Sequence, residues 1–319
     1  MASERELILP IVREDNICLP LSVNAVSRYW GVNLPMAEAA KIAGRYPGAG
    51  GSILIEGIEL AERHGLSSAV LRSDMAGLRG IIDAGIPPVV ILPGIHDVIQ
   101  HASVISGYDG EARTILHYIP EVENDDEFKV GVIPEEQFEN IWSEDGRLAI
   151  ILAPADSMAA LPGHDPDAAR SNRLCFESER QNLQKKPAEA LSTLGRAIEL
   201  DGKNPVAYSL LGSIRNEQGS PDCVKDYEKS IELCPRYYIA YRGLGNYHLK
   251  GGRYEEAERF YSDAIAINPS RYGPIYKNRA IARMQLDRNG GAKQDFEAYL
   301  RHTPGAPDRE SVQEAVSGM

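Results

Sequence analysis

Long apolar runs are missing from this 319-residue chain. No stretch approaches the roughly 18 residues of a membrane-spanning helix, so no membrane partner is expected. The first residues, MASERELILPIVRED, interleave charges with apolar positions and do not read as a secretory leader, which makes the cytoplasm the expected compartment. Cysteine is scarce. Cys18, Cys175, Cys223 and Cys234 show no C-x-x-C pairing, so no metal site is expected, and in a reducing compartment they are free thiols. A basic excess is also lacking. The formal charge is −12, and all of it resides in residues 1–155, residues 156–319 being balanced. That distribution argues against nucleic acid, which calls for a basic stripe. It suits a solvated acidic surface and leaves room for basic peptides near the N-terminal half.

Motifs for cofactors are lacking too, and none is expected. PGAGGS at 47–52 has no following Lys-Ser/Thr and no preceding β-run, so it reads as a turn between helices rather than a phosphate loop. The acidic run EVENDDE at 121–127 lacks the spacing of a twelve-residue calcium loop and reads as a solvated loop. His96 and Asp97 stand near His101 in sequence, but no helical or strand spacing brings all three to one face.

The texture changes near APADSMAALPGHDPDAA, where Pro, Gly and Asp cluster. Residues 1–155 are read as one domain, 156–167 as a linker, 168–304 as a repetitive all-helical domain and 305–319 as a tail or capping helix. An aromatic recurs at Tyr208, Tyr241 and Tyr276, followed four residues later by Gly212, Gly245 and Ala280. A second aromatic recurs at Tyr227, Tyr261 and Phe296, and proline closes the units at Pro235, Pro269 and Pro304. The spacings run from 33 to 35 residues. This pattern resembles tetratricopeptide repeats, in which a small residue lets two helices of a unit approach closely. PAEALSTLGRAIEL fits the second helix of an earlier unit, giving about three and a half units. The resemblance implies a groove lined by the first helix of each unit and open to a protein partner. In that register Arg242, Asn246 and Lys277 face the groove and are candidates for holding a peptide or its carboxylate.

In the first 155 residues, helices are read over CLPLSVNAVSRY, PMAEAAKIAG, SILIEGIELAERHG and MAGLRGIIDAG, then strands over PPVVIL, HASVISGYD and ARTILHYI, a short helix over PEEQFENIW and a closing strand over RLAIILAP. Helices followed by an antiparallel sheet make an α+β domain. Cys18 opens the first helix, with Pro20 in its first turn. Helix N-termini and nearby imidazoles draw a thiol toward its nucleophilic thiolate. His101 heads the strand HASVISGYD.

Here CLP…SRYWG, GGSILIEGIELAERHGL, LRGIIDAGIPPVVIL, HASVISGYD and PEEQFENIW…AIILAP together resemble the papain-like cysteine peptidases of the double-glycine-leader, bacteriocin-processing type, over most of residues 8–155. Some relatives carry tetratricopeptide repeats after the peptidase domain, the order seen here. The resemblance implies a papain-like fold, Cys18 as nucleophile, His101 as general base, and a peptide or protein substrate. It also exposes departures. Leu19 stands where the family prefers glycine, and a side chain there is expected to crowd the substrate backbone. Arg13 or Val12 stands where a glutamine amide supports the oxyanion, leaving Arg13 as the donor. Ile119 precedes Pro120 where an Asp or Asn orients the imidazole, leaving His117 or a nearby carboxylate for that task. These departures set a second reading beside the peptidase: a catalytically degenerate cleft that binds a peptide as an adaptor. Acyl or amide transfer through the same pair is a third.

Overall fold

The computed structural model describes residues 4–6, 18–42, 45–46, 53–93, 100–118 and 130–319. The described residues fall into two compact units, one drawn from residues 4–92 and 101–207 and the other chiefly from residues 208–319.

The first unit is built on a mainly buried helix and an antiparallel sheet. Helix α1 spans Cys18–Tyr29, the span its apolar spacing predicts, and every residue from Leu19 to Ser27 is buried. No charged residue occurs from Cys18 to Ser27, which lets every side of this stretch lie inside the fold. It ends at Gly31, whose φ of +71° closes the last turn, with Val32 N–H donating to Ser27 O at 2.9 Å. The two aromatics at this end then fasten the helix to the rest of the lobe. Tyr29 Oη–H donates to Gly85 O and Trp30 Nε1–H to Leu152 O, each at 2.9 Å. Helices α2 (Met36–Ala40) and α3 (Leu54–Arg63) follow, and α3 crosses α1 at Gly57. A β-carbon on Gly57 would stand 3.1 Å from Leu19 Cδ2 and from Val23 Cγ2, so glycine is what permits the approach.

The sheet runs in the order β2 (Ser67–Arg72), β7 (Leu148–Ala153), β3 (Val89–Pro93), β4 (Gln100–Asp109), β5 (Thr114–Tyr118), β6 (Val130–Pro134), with β1 (Glu4–Glu6) pairing β4. The pairs β1–β4, β2–β7, β3–β7, β4–β5 and β5–β6 are all antiparallel. Helices α4 (Met75–Asp83) and α5 (Glu135–Ser143) contribute to a shared core with the sheet, Leu78, Ile82, Phe138 and Trp142 meeting Ile105, Ile115 and Ile151. Trp142 satisfies its one polar atom by donating to Leu148 O at 2.8 Å, which makes complete burial of the ring favourable. The order differs from the sequence reading: β1 precedes α1, β2 intervenes between α3 and α4, and β6 is added after β5, so helices and strands interleave.

Helix α6 (Ala155–Ala159) leads to a helical hairpin, α7 (Pro166–Leu183) and α8 (Pro187–Leu200). Asp165 caps α7 by accepting from the N–H groups of Asp167 and Ala168, with Pro166 in the first turn. Helix α7 lies against β2, the terminal strand of the sheet, and against α3. Asn172 Nδ2 donates to Val70 O at 2.9 Å while its Oδ1 accepts from Asn204 Nδ2 at 2.9 Å. Arg173 binds Glu62 and Ser68, Arg180 binds Glu59 at 2.7 Å, and Arg72 pairs with Asp201. A terminal strand otherwise presents unpaired main-chain groups, and here a helix supplies a partner for one of them.

The second unit is helical: the rest of α9 (Pro205–Glu217), then α10 (Cys223–Leu233), α11 (Tyr238–Lys250), α12 (Tyr254–Ile267), α13 (Pro274–Gln285), α14 (Asn289–His302) and α15 (Arg309–Gly318). The recurring small residues do the work their spacing predicts. A β-carbon on Gly245 would stand 2.5 Å from the Tyr261 ring, and one on Gly212 3.0 Å from Tyr227. Asp295 is almost wholly buried and receives Arg279 at 2.6 Å and Arg283 at 2.9 Å, so the charge is paired where it is desolvated.

Two stability outcomes follow. Asn172→Ala strips partners from Val70 O and Asn204, and is expected to cost about 1–3 kcal/mol, read as a lower urea midpoint in full-length protein. Gly245→Ala forces a methyl group into the Tyr261 ring and is expected to cost about 1–3 kcal/mol by the same measurement.

Candidate functional site

Cys18 is the first residue of α1, and its thiol is half-buried rather than enclosed. This is the end of the helix where backbone N–H groups have no intrahelical acceptor. His101 is the second residue of β4 and is likewise half-buried. One contact ties these two elements together. Ser22 lies one helical turn beyond Cys18, about 6 Å along the axis. Its Oγ reaches the main-chain carbonyl of Ala102, the neighbour of His101, at 3.4 Å. The first turns of α1 therefore run beside the start of β4.

Leu19 is a correction to the expectation that its bulk crowds a substrate. It is 3 % exposed and packs on α3 at Gly57, so the core takes up its side chain. The next residue of a helix is rotated about 100° from the last, which separates Leu19 from Cys18 around the α1 axis.

His117 lies on β5 opposite Ile105 of β4. Side chains alternate along a strand, so His101, Ser103 and Ile105 share one face of β4, and His117 shares it across the pair. Ser103 is buried, and its Oγ is 3.1 Å from His117 Nδ1 and 2.9 Å from Tyr118 O. Burial, reinforced by the nearby His101, lowers the His117 pKa to about 4. The ring is accordingly a neutral imidazole at neutral pH.

The remaining thiols differ from Cys18. Cys175 is buried, and desolvation pushes it up to about 12 despite the influence of Arg72 and the Asn204 amide. Cys223 is raised by burial and by Asp226. Such thiols are poor nucleophiles near neutral pH.

In the second unit, the predicted groove residues each hold an intramolecular contact. Lys277 Nζ pairs with Asp308 at 2.8 Å and lies over the Tyr299 ring. Asn246 Oδ1 accepts from Tyr261 Oη at 2.8 Å and from Asn278 Nδ2 at 3.3 Å. The Arg242 guanidinium stacks on Tyr272. Arg13, His96, Asp97, Ile119, Pro120, the 47–52 turn and the 121–127 acidic run lie outside the described residues. Ser22 and Ser103 were not singled out by the sequence. A serine carries no signature of its own, and both become visible only through partners on other elements.

His117 gives a signed pH dependence. Its folded-state value lies below the ordinary 6.5, so between pH 6.5 and 4 the unfolded chain takes up a proton that the folded chain refuses. Its contribution is fully present above pH 6.5 and lost as pH falls toward 4, amounting to about 3 kcal/mol at most. His117→Asn is expected to flatten this part of the stability curve, read as urea midpoints against pH for both proteins.

Comparison with known proteins bears on the C-terminal part. Residues 238–271 match the family described as Tetratricopeptide repeat. The small glutamine-rich tetratricopeptide repeat-containing protein 2 of Mycosarcoma maydis is 27% identical over 129 residues, 40% of this chain and 36% of that protein. Anaphase-promoting complex subunit 3 of Schizosaccharomyces pombe is 33% identical over 120 residues, 35% of this chain and 18% of that protein. The chain thus spans well under half the length of these relatives. Among solved structures, a double glycine motif protease from an AMS/PCAT transporter, in complex with its leader peptide, aligns at 18% identity and a TM-score of 0.36, covering 47% of this chain and 95% of its own. The helix pairs, their recurring glycine–tyrosine contacts and the matched repeat agree: the C-terminal part of this chain carries tetratricopeptide repeats.

Proposed function

We propose that this chain is a cysteine peptidase of papain-like fold acting on a peptide or protein substrate that its repeats help to recruit. The observation that carries the reading is the Ser22–Ala102 contact, one turn from Cys18 and one residue from His101. Two further features support it. Cys18 is half-buried at a helix N-terminus, where Cys175 and Cys223 are disfavoured as nucleophiles by burial. Leu19 is taken up by the core, which leaves the approach to Cys18 free of its bulk.

In this mechanism the imidazole of His101 takes the proton of the Cys18 thiol, and the sulfur forms a bond to the peptide carbonyl carbon. The carbonyl oxygen becomes an oxyanion, stabilised by the backbone N–H of Cys18 at the start of α1, with Arg13 as an additional donor. Collapse breaks the C–N bond, and the His101 imidazolium gives its proton to the leaving amine. Water, deprotonated by His101, then cleaves the thioester and restores the thiol. Recruitment of the substrate protein by the repeats raises its effective concentration at the cleft without new chemistry. The similarity to a protein named as a subunit of a complex is in keeping with such recruitment.

A second reading, an adaptor that binds a peptide without cutting it, is favoured by one observation. A group electrostatically coupled to His101 is a neutral imidazole, His117, and a neutral imidazole stabilises an imidazolium less than a carboxylate does.

Alkylation separates the two. Full-length protein is treated with iodoacetamide at pH 6 and the adducts are mapped over time. Cys18 is expected to react at least about tenfold faster than Cys175, Cys223 and Cys234, and His101→Ala to abolish that advantage. Cys18 labelling at the pace of Cys234, with and without candidate peptides, removes the peptidase reading and leaves the adaptor.

A further inference from the structure

We infer that Ser103 is a positioning residue: it fixes His117 as the Nδ1–H tautomer, so that His117 presents Nε2 to His101 as a neutral hydrogen-bond acceptor. The inference rests on the reading of His101 as the base of the site and adds to it a residue with no part in the sequence argument.

Ser103 Oγ carries one hydrogen and can both donate and accept. It stands 2.9 Å from Tyr118 O, and a carbonyl oxygen only accepts. The serine proton is therefore committed to Tyr118. If it were given to His117 instead, two oxygen lone pairs would face each other at that distance inside the protein, an expensive arrangement. The same Oγ stands 3.1 Å from His117 Nδ1. With its proton spent, Ser103 can only accept there, so Nδ1 must carry the hydrogen. A neutral imidazole has one N–H. Nε2 is left with its lone pair.

Placement gives this tautomer a target. Ser103 and His101 are two residues apart on β4 and share a face with His117 across the β4–β5 pair. The two rings are close enough that His101 weighs against protonation of His117. A lone pair aimed from His117 orients the N–H of His101 and keeps its other nitrogen, the one needed for the thiol proton, unprotonated. Ser103 is fully buried, so water does not compete for either of its hydrogen bonds.

The test is nitrogen NMR of the full chain with 15N-labelled histidine near neutral pH. Two-bond correlations to the ring carbon-bound protons tell a protonated ring nitrogen from an unprotonated one. The expected wild-type result for His117 is a protonated Nδ1 and an unprotonated Nε2. Ser103→Ala is expected to redistribute the His117 tautomers and to shift the ring nitrogens of His101. Ser103→Thr, which keeps the hydroxyl, is expected to restore both. Iodoacetamide labelling of Cys18 is expected to slow about tenfold in Ser103→Ala and to recover in Ser103→Thr. A wild-type His117 protonated on Nε2 overturns the inference, even if Ser103→Ala fails to fold. So does a Ser103→Ala protein whose His101 resonances stay in place. Loss of Cys18 selectivity in the wild type, with the His117 and His101 spectra as expected, removes the peptidase reading while the coupling of Ser103, His117 and His101 stands.

Discussion

The first unit depends on how α1 is held. Helix α1 is buried along nearly its whole length, and several polar side-chain atoms of the helix and of the residue after it meet main-chain oxygens elsewhere in the fold. Asn24 Nδ2 donates to Leu34 O at 2.6 Å, Trp30 to β7, and Ser22 approaches β4. The apolar residues between these contacts supply the favourable burial, and the polar ones set the axial position and rotation. A one-residue slip of the helix would break all of the polar contacts at once and turn Leu19 away from Gly57. The location of the Cys18 thiol is therefore determined mainly by groups well away from it, at the far end of α1 and on α3.

Legibility in the sequence followed the length scale of each interaction. Helix α1 was readable from end to end because its apolar spacing, Pro20 and Gly31 are all local. The repeats were readable because a glycine and an aromatic that meet across a helix pair recur at fixed distances. Strands β2 and β6 were not. SSAVLR has only a short apolar stretch at its centre, and its strand character comes from pairing with β7 and from α7 at its outer edge. VGVIP contains glycine and proline, both depleted in strands, and is held by its register with β5. In both, tertiary partners outweigh weak local preference.

The same distinction runs through the candidate site. Cys18 and His101 stand out because thiol and imidazole are chemically conspicuous and sit in motifs. Their surroundings are made of serine hydroxyls, a buried histidine and main-chain carbonyls. The Ser22–Ala102 contact joins residues 80 positions apart. The expected crowding by Leu19 shows the reverse error: a side chain judged by adjacency in sequence belongs, through helical rotation, to another surface.

The seam between α7 and the terminal strand has a corollary for transplanting the repeats. Asn172 bonds the main-chain oxygen of Val70, while Arg173 and Arg180 pair with the side chains of Glu62 and Glu59, so losing either charge strands its partner across the seam. Beyond α8 the close glycine–tyrosine approaches Gly212–Tyr227 and Gly245–Tyr261 fall within single helix pairs. A repeat array transplanted onto another lobe would have to be joined after this hairpin or bring these three residues with it.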